Sequence, residues 1–392
     1  MSAHALLSPS SAHRWLNCPR APRLEATLPD TTSTYAKEGT LAHEICEISA
    51  KAHFGQTTSA NYKAALKRYQ KNELWDPEML NTAEIYVDHL ASKAMGFQHQ
   101  PVVAFETRVD ITSYVPDAFG RCDCIMFSGD TLIITDYKHG KGEPVDAEEN
   151  PQLMLYALGA LKLYRPFFGD SILNVLICID QPRIDSYQTW AISTADLLAW
   201  GESIKPKAQM AYAGFGEFKA GSWCRFCRAN GQCSAQAEQQ LSALDDFKDS
   251  VDHPDELLSP ERMSEALKKG ETLIAWYNSL KEKALETILA GTPIPNFKLV
   301  EGKSSREWSD QDKALETLEK NGVDRAIIYD TAPKSLSQLE KLIGKKKFGE
   351  LVGDFVVKPQ GKPTLASSSD RRKTFNSAVS DFKDVTGGQE NV

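Results

Sequence analysis

Two apolar runs flank the dipeptide Gly129-Asp130, and no other stretch constrains the fold of this chain as strongly. The runs are "RCDCIMFS" and "TLIITDYK", both rich in the residue types that strands favour. A Gly-Asp pair between two such runs is typical of a two-residue β-hairpin. The hairpin register then pairs Ser128 with Thr131 and, counted outward, Asp123 with Asp136.

This register predicts a charged site on one face of the hairpin. Directly opposed residues have Cβ atoms about 4.5–5.5 Å apart, so Asp123 and Asp136 repel each other. Lys138 follows Asp136 by two residues and lies on the same face, whereas Cys122 and Cys124 are expected together on the opposite face. The residues alone leave two interpretations open. The acids hold a divalent cation such as Mg²⁺ or Mn²⁺, or they form a surface cluster that Lys138 neutralises.

The order of the remaining segments predicts the fold class. Helical patterns precede three strands, and a helix, two strands and another helix follow them. This order is typical of an α/β fold with a central mixed sheet flanked by helices. The predicted segments are helices at 33–55, 61–99, 149–164 and 194–213, and strands at 102–111, 118–127, 131–138, 171–180 and 185–193.

The length of 392 residues allows two domains. We predict a first domain over residues 1–240 and a mainly helical region over 241–360, whose role the sequence does not indicate. The polar composition of residues 361–392 predicts a flexible tail.

Composition limits the location and the partners of the chain. No apolar run approaches the roughly 20 residues of a membrane span, and the N-terminus lacks the pattern of a secretory signal. We therefore expect a cytoplasmic protein with no membrane partner, whose cysteines are thiols or metal ligands. The net charge of −8 requires any nucleic acid to bind in a local basic groove.

The acid pair and two helical motifs together resemble the RecB-like branch of the PD-(D/E)xK nucleases. The matching residues are Asp123 and Asp136-Tyr137-Lys138 in the hairpin, an upstream Gly39-x3-His43 motif, and a downstream Gln152-x3-Tyr156 motif. The resemblance implies a restriction-endonuclease-like core and a DNA exonuclease that needs Mg²⁺ or Mn²⁺.

The resemblance also implies a role for each matching side chain. The implied metal ligands are His43, Asp123 and Asp136. Lys138 is implied to position or activate the attacking water. The side chains implied to hold the site and the nearby DNA strand are those of Gln152 and Tyr156.

Three further cysteines, Cys224, Cys227 and Cys233, form a C-x2-C-x5-C cluster, and Cys18 precedes a proline far upstream. Four thiolates suit either zinc or an iron–sulfur cluster. One upstream cysteine with such a downstream cluster resembles the iron–sulfur nucleases of the same branch, which include AddB-type helicase–nucleases and CRISPR-associated exonucleases. The resemblance implies a [4Fe–4S] cluster on these four cysteines that acts as a structural staple.

Several segments, among them "LSPSSAHRWLNCPRAPRLE" and "GKPTLASSSDRR", also resemble a family of bacteriophage and prophage proteins. This resemblance implies a role in phage DNA replication or recombination in the cytoplasm of the bacterial host. The expected partners are single-stranded DNA or duplex ends, and a phage single-strand-binding or annealing protein. A non-catalytic DNA-binding scaffold and a structure-specific endonuclease remain alternatives.

Two further features suggest contacts with nucleic acid. The segment "HGKG" (139–142) after the catalytic strand is basic and rich in glycine, so it either approaches a phosphate backbone closely or is an ordinary turn. Near the cluster cysteines, Trp15, Trp223 and Phe226 either stack on bases or pack around a metal site.

Overall fold

The computed structural model describes residues 5–29, 34–142, 144–249, 259–329, 333–357, 363–367 and 374. The chain divides into two compact units, Met1–Glu256 and Leu257–Val392. None of the helices in the described ranges combines the length and the apolar character that crossing a membrane requires.

The first unit is built on a five-stranded mixed sheet whose strands lie in chain order. The predicted central mixed sheet flanked by helices is therefore confirmed. The strands are β1 (Val102–Asp110), β2 (Phe119–Ser128), β3 (Thr131–Tyr137), β4 (Asn174–Gln181) and β5 (Ser186–Ser193). Only β3 and β4 pair in parallel, because a helix connects them, and parallel neighbours need such a crossover.

The hairpin register predicted from Gly129-Asp130 is confirmed as far as Cys124 and Thr135, and the predicted Asp123–Asp136 pair lies one position beyond this ladder. Ser128 pairs with Thr131, and the ladder continues to Cys124 and Thr135. Gly129 has a φ of 60°, a left-handed conformation that glycine adopts without steric cost.

Helices cover both faces of the sheet. The helices of the first unit are α1 (Ala12–Asn17), α2 (Ala21–Glu25), α3 (Thr34–His53), α4 (Ser59–Tyr69), α5 (Pro77–Met95), α6 (Pro151–Phe168), α7 (Thr194–Ala213) and α8 (Ser234–Asp249). On one face α3, α4 and α5 pack against side chains such as Met126 and Ile133; we call this cluster the α3–α5 core. On the other face α6 and α7 pack against Ile125 and Ile134, and we call this cluster the α6–α7 core.

Strand β2 changes faces close to Asp123. Cys124 is buried in the α3–α5 core, whereas Cys122 is buried in the α6–α7 core. The prediction that these two cysteines share a face is therefore wrong. At the same level β1 contains Glu106, whose φ of 48° is left-handed. Such a residue interrupts the regular pleat, at a cost of about 1–3 kcal/mol.

The second unit has a small core of its own, formed by Leu318, Ile328, Leu339 and Phe348 with their neighbours. Its helices are α9 (Pro260–Leu289), α10 (Gln311–Lys320), α11 (Arg325–Ile328), α12 (Leu336–Ile343) and α13 (Lys345–Val352). Its strands are β6 (Phe297–Glu301), β7 (Glu307–Trp308), β8 (Val356–Val357) and β9 (Pro363–Ser367), and β6 pairs with β9. Thus part of the predicted tail forms a strand, and most of residues 361–392 lie outside the described residues.

The close packing of α6 on β1 predicts opposite effects for two glycine substitutions. A Cβ on Gly159 of α6 would lie 2.7 Å from Cβ of Val109, so Gly159→Ala should lower the free energy of unfolding by about 1–3 kcal/mol. A Cβ on Gly39 of α3 meets no described atom within 4 Å. Gly39→Ala should therefore raise that free energy by up to about 1 kcal/mol through helix propensity. Urea denaturation of both variants measures the two effects, and equal shifts would contradict the packing described for Gly159.

Candidate active site

Two carboxylates and an imidazole meet where β1 and β2 change faces. The register pairs Phe105 with Cys124 and Thr107 with Cys122, so Glu106 lies opposite Asp123. Helix α3 brings His43 to the same place. One ligand atom from each of His43, Glu106 and Asp123 lies within 4.8 Å of the others, and Nδ1 of His43 is 3.4 Å from Oδ2 of Asp123. The three side chains can therefore share one cation.

Burial and mutual charge shift the titration of this group. Burial disfavours the charged form of His43, but the Asp123 carboxylate outweighs it and raises the imidazole pKa to about 9. Burial also disfavours a charged Asp123, yet His43 and the backbone N–H of Tyr137 hold its pKa below the usual value. Burial and the nearby charge of Asp123 raise the pKa of Glu106 to about 7. A negative charge on Glu106 beside the charged Asp123 is therefore unfavourable. A bound divalent cation would compensate it.

Asp136 and Lys138 form an ion pair next to this group. Nζ of Lys138 is 2.8 Å from Oδ2 of Asp136, whose side chain is only 3% exposed. Burial raises the pKa of Asp136, and Lys138 offsets this only in part. Burial opposes the charge on Lys138, but Asp136 raises the pKa of the ammonium above its usual value. Lys138 is therefore a protonated amine at neutral pH.

Helix α6 holds the Asp136–Lys138 pair from the other side. Asn150 caps the helix by accepting from the backbone N–H of Gln152. Nε2 of Gln152 donates to Oδ1 of Asp136 and to the hydroxyl of Tyr156, at 3.1 and 3.2 Å. Oε1 of Gln152 accepts from Lys138 at 3.3 Å. Because Gln152 contacts both members of the pair, it fixes their relative orientation.

Tyr137, between the acid and the lysine, braces the opposite side of the site. Its backbone N–H donates to Oδ2 of Asp123 at 2.8 Å, just beyond the last ladder pair of β2 and β3. Its ring packs edge-on against His43, with centroids 5.3 Å apart. Its hydroxyl hydrogen-bonds to Thr82 of α5 and to Nδ1 of His139, both at 2.9 Å. One residue thus orients a carboxylate and an imidazole.

A buried ion network positions α3 and α5 around the site. Arg183, 11% exposed, contacts Glu38 of α3 at 3.0 Å and Glu78 of α5 at 2.7 Å. It also donates to the carbonyl of His139 at 3.2 Å. The network therefore ties the helix that carries His43 to the segment that follows Lys138.

The structure brings together only two of the three metal ligands predicted from the sequence. His43 and Asp123 lie together, but Glu106 completes their group, and Asp136 is paired with Lys138 instead. Sequence reasoning missed Glu106 because nothing in the β1 sequence fixes its register against β2. It also assigned no role to Tyr137, although this residue lies between Asp136 and Lys138 in the motif.

The four cysteines predicted to share a cofactor line one cavity, together with Arg14 and Trp223. Sγ of Cys18 accepts from the backbone N–H of Lys219 at 3.4 Å, across 201 positions of sequence. Burial raises the pKa of Cys227 to about 12, and the nearby Glu25 carboxylate adds to the effect. Burial also raises the pKa of Cys224, so the thiols of Cys224 and Cys227 remain protonated at neutral pH unless a metal binds them. The cavity-lining cysteines are Cys18, Cys224, Cys227 and Cys233.

Comparisons with known proteins identify a family. Residues 4–373 match the family model described as "Protein of unknown function (DUF2800)". A solved structure titled "Crystal structure of SSO0001" has 14% sequence identity and a TM-score of 0.24, over 49% of this chain and 95% of that one. A similarity at that level carries no argument about fold or function.

The geometry predicts that loss of one carboxylate weakens metal binding. Glu106→Gln and Asp123→Asn each remove a charged ligand atom from the group around His43, so we expect Mn²⁺ to bind at least about tenfold more weakly. Isothermal titration calorimetry measures the affinity. Glu44→Gln, an exposed change on α3, is the matched control. Wild-type affinity in both variants would show that this group is not the metal site.

Proposed function

We propose that this chain, which belongs to the DUF2800 family, is a metal-dependent exonuclease that hydrolyses phosphodiester bonds in DNA. The observation that carries the proposal is the ion pair of Lys138 with Asp136 beside the carboxylates and imidazole of Glu106, Asp123 and His43. A surface charge cluster needs neither a buried acid nor a helix that supplies an imidazole. A cation site and a fixed amine next to each other suit the hydrolysis of a phosphodiester.

The residues around His43 fit a hard divalent cation. Two carboxylates and one imidazole suit Mn²⁺, and carboxylates with retained waters suit Mg²⁺. When bound, such an ion lowers the pKa of a water ligand and neutralises charge on the scissile phosphate. Glu106, Asp123 and His43 would hold it, with Asp136 as the neighbouring acid.

Lys138 supplies the fixed positive charge of the site. Its side chain is 28% exposed, so the ammonium is held by Asp136 and Gln152 but remains open to a substrate. A preorganised ammonium stabilises negative charge that develops on the phosphate or on the attacking oxygen. Gln152 is a positioning residue in this scheme, because it bonds to both partners of the ion pair.

A second part of the proposal concerns the cysteine cavity, which we assign to a [4Fe–4S] cluster. The described lining of this cavity offers four thiolates and no histidine. Four thiolates suit zinc as well as a cluster, and the resemblance of the cysteine pattern to the iron–sulfur nucleases favours the cluster.

The proposed catalysis predicts the loss of cleavage in a lysine variant. Lys138→Met removes the ammonium but keeps most of the side-chain volume, so we expect the rate to fall about 100-fold or more. The assay follows end-labelled single- and double-stranded DNA with Mn²⁺ or with a chelator. The control is Lys162→Met, which removes an amine of α6 that pairs with Asp110 of β1. This variant should cleave like the wild type. Undiminished cleavage by the Lys138 variant would refute the role of the lysine. Wild-type protein that binds DNA without cleaving it would favour a scaffold.

The cysteine assignment predicts the metal content of the protein. Anaerobically purified protein should be brown and contain about four irons and four sulfides per chain. Cys233→Ser should lose this content, whereas Cys178→Ala, in the buried sheet, should retain it. Elemental analysis measures both, and stoichiometric zinc in colourless wild-type protein would contradict the assignment.

A further inference from the structure

One aromatic side chain of the cysteine segment is largely exposed although its backbone is ordered. Of the three aromatic residues that the sequence analysis singled out near the cysteines, Trp15 is fully buried and Trp223 packs edge-on against His13. Phe226 is instead 76% exposed. Its backbone is nevertheless fixed, because its carbonyl accepts from Nη1 of Arg14 at 3.0 Å. The ring is therefore presented to solvent from an ordered turn.

An arginine accompanies the exposed ring. The guanidinium carbon of Arg225 lies 5.5 Å from the centroid of the Phe226 ring, and the side chain of Arg225 is exposed. Arginine and aromatic side chains at adjacent positions are the two elements that bind single-stranded nucleic acid without sequence preference. The ring stacks on a base and the guanidinium contacts a phosphate.

Arg225 of this pair lies against the loop that follows the proposed catalytic lysine. A Cβ added to Gly142 would lie 4.0 Å from Nη2 of Arg225, so Arg225 borders the glycine loop 140–142. The two glycines of this loop carry no side chain that would keep a phosphate from the backbone. Lys141, between them, is 59% exposed. Lys138 lies two residues before Gly140, with only His139 between them, so a strand bound at the loop would run towards the acids.

We propose that Phe226, Arg225 and the glycine loop 140–142 form a subsite for single-stranded DNA. An unpaired base stacks on Phe226, and the adjacent phosphate contacts Arg225 and the loop. The ring selects the single strand, because the bases of a duplex are already stacked on one another and a surface ring cannot reach their faces. This subsite deepens the proposed nuclease function and rests on it for the direction of the strand.

The test measures the contributions of the Phe226 ring and of the Arg225 charge to DNA binding separately. Fluorescence anisotropy in a chelating buffer measures binding of a labelled oligothymidylate of about 12 nucleotides, within the site size of one binding fold, and of a hairpin duplex. Phe226→Leu keeps an apolar side chain but loses the π face, so single-strand affinity should fall about tenfold with duplex affinity unchanged. Phe226→Trp should restore single-strand affinity. Arg225→Gln should weaken both and reduce the salt dependence.

Phe167 provides the matched control. It is 77% exposed and lies on α6 about 22 Å along the helix from Gln152, so Phe167→Leu should bind like the wild type. Unchanged single-strand affinity in Phe226→Leu would overturn the subsite. Because the assay excludes divalent metal, it does not depend on cleavage. Ring-dependent binding by a wild-type protein without nuclease activity would support the subsite and refute the proposed hydrolysis.

Discussion

The arrangement of this site depends on compensating three acids placed at neighbouring positions of three strands. Glu106, Asp123 and Asp136 bring negative charge into a partly buried space, and such charge is unfavourable unless it is paired. The surrounding elements supply the pairing. Helix α3 contributes the imidazole of His43, and the end of β3 contributes the ammonium of Lys138. The raised pKa values of Glu106 and Asp136 show that this compensation is incomplete, which is the condition under which a divalent cation binds favourably.

Local chemistry explains which parts of the site the sequence predicts. The Gly129-Asp130 turn fixes the hairpin register, and alternation then places Asp136 and Lys138 together. Glu106 was not predictable in the same way, since β1 and β2 are joined by eight residues (111–118) without a hairpin signal. Beside the left-handed Glu106 of β1, strand β2 also departs from simple alternation, because Cys122 and Cys124 are buried in different cores. The family resemblance, not periodicity, indicated His43 and the grouping of Cys18 with the distant cysteines.

The cysteine cavity and the proposed active site are connected through short segments of backbone. The N-terminal helices bind the cysteine segment directly, since Glu25 accepts from the backbone N–H of Arg228 at 3.0 Å and Cys18 contacts residue 219. The same segment carries Arg225 to the glycine loop after Lys138. A group that stiffens the cysteine cavity would therefore also fix the position of the proposed DNA subsite. Under the proposed function, the cysteines would thus affect DNA binding without taking part in hydrolysis.

The most direct measurement of the central claim is anomalous diffraction from crystals soaked in Mn²⁺ at a concentration that supports DNA cleavage. We predict a peak in contact with His43, Glu106 and Asp123 and next to the Asp136–Lys138 pair. Active protein whose site holds no Mn²⁺ under these conditions, or holds it only elsewhere, would contradict the claim that these acids form the catalytic cation site.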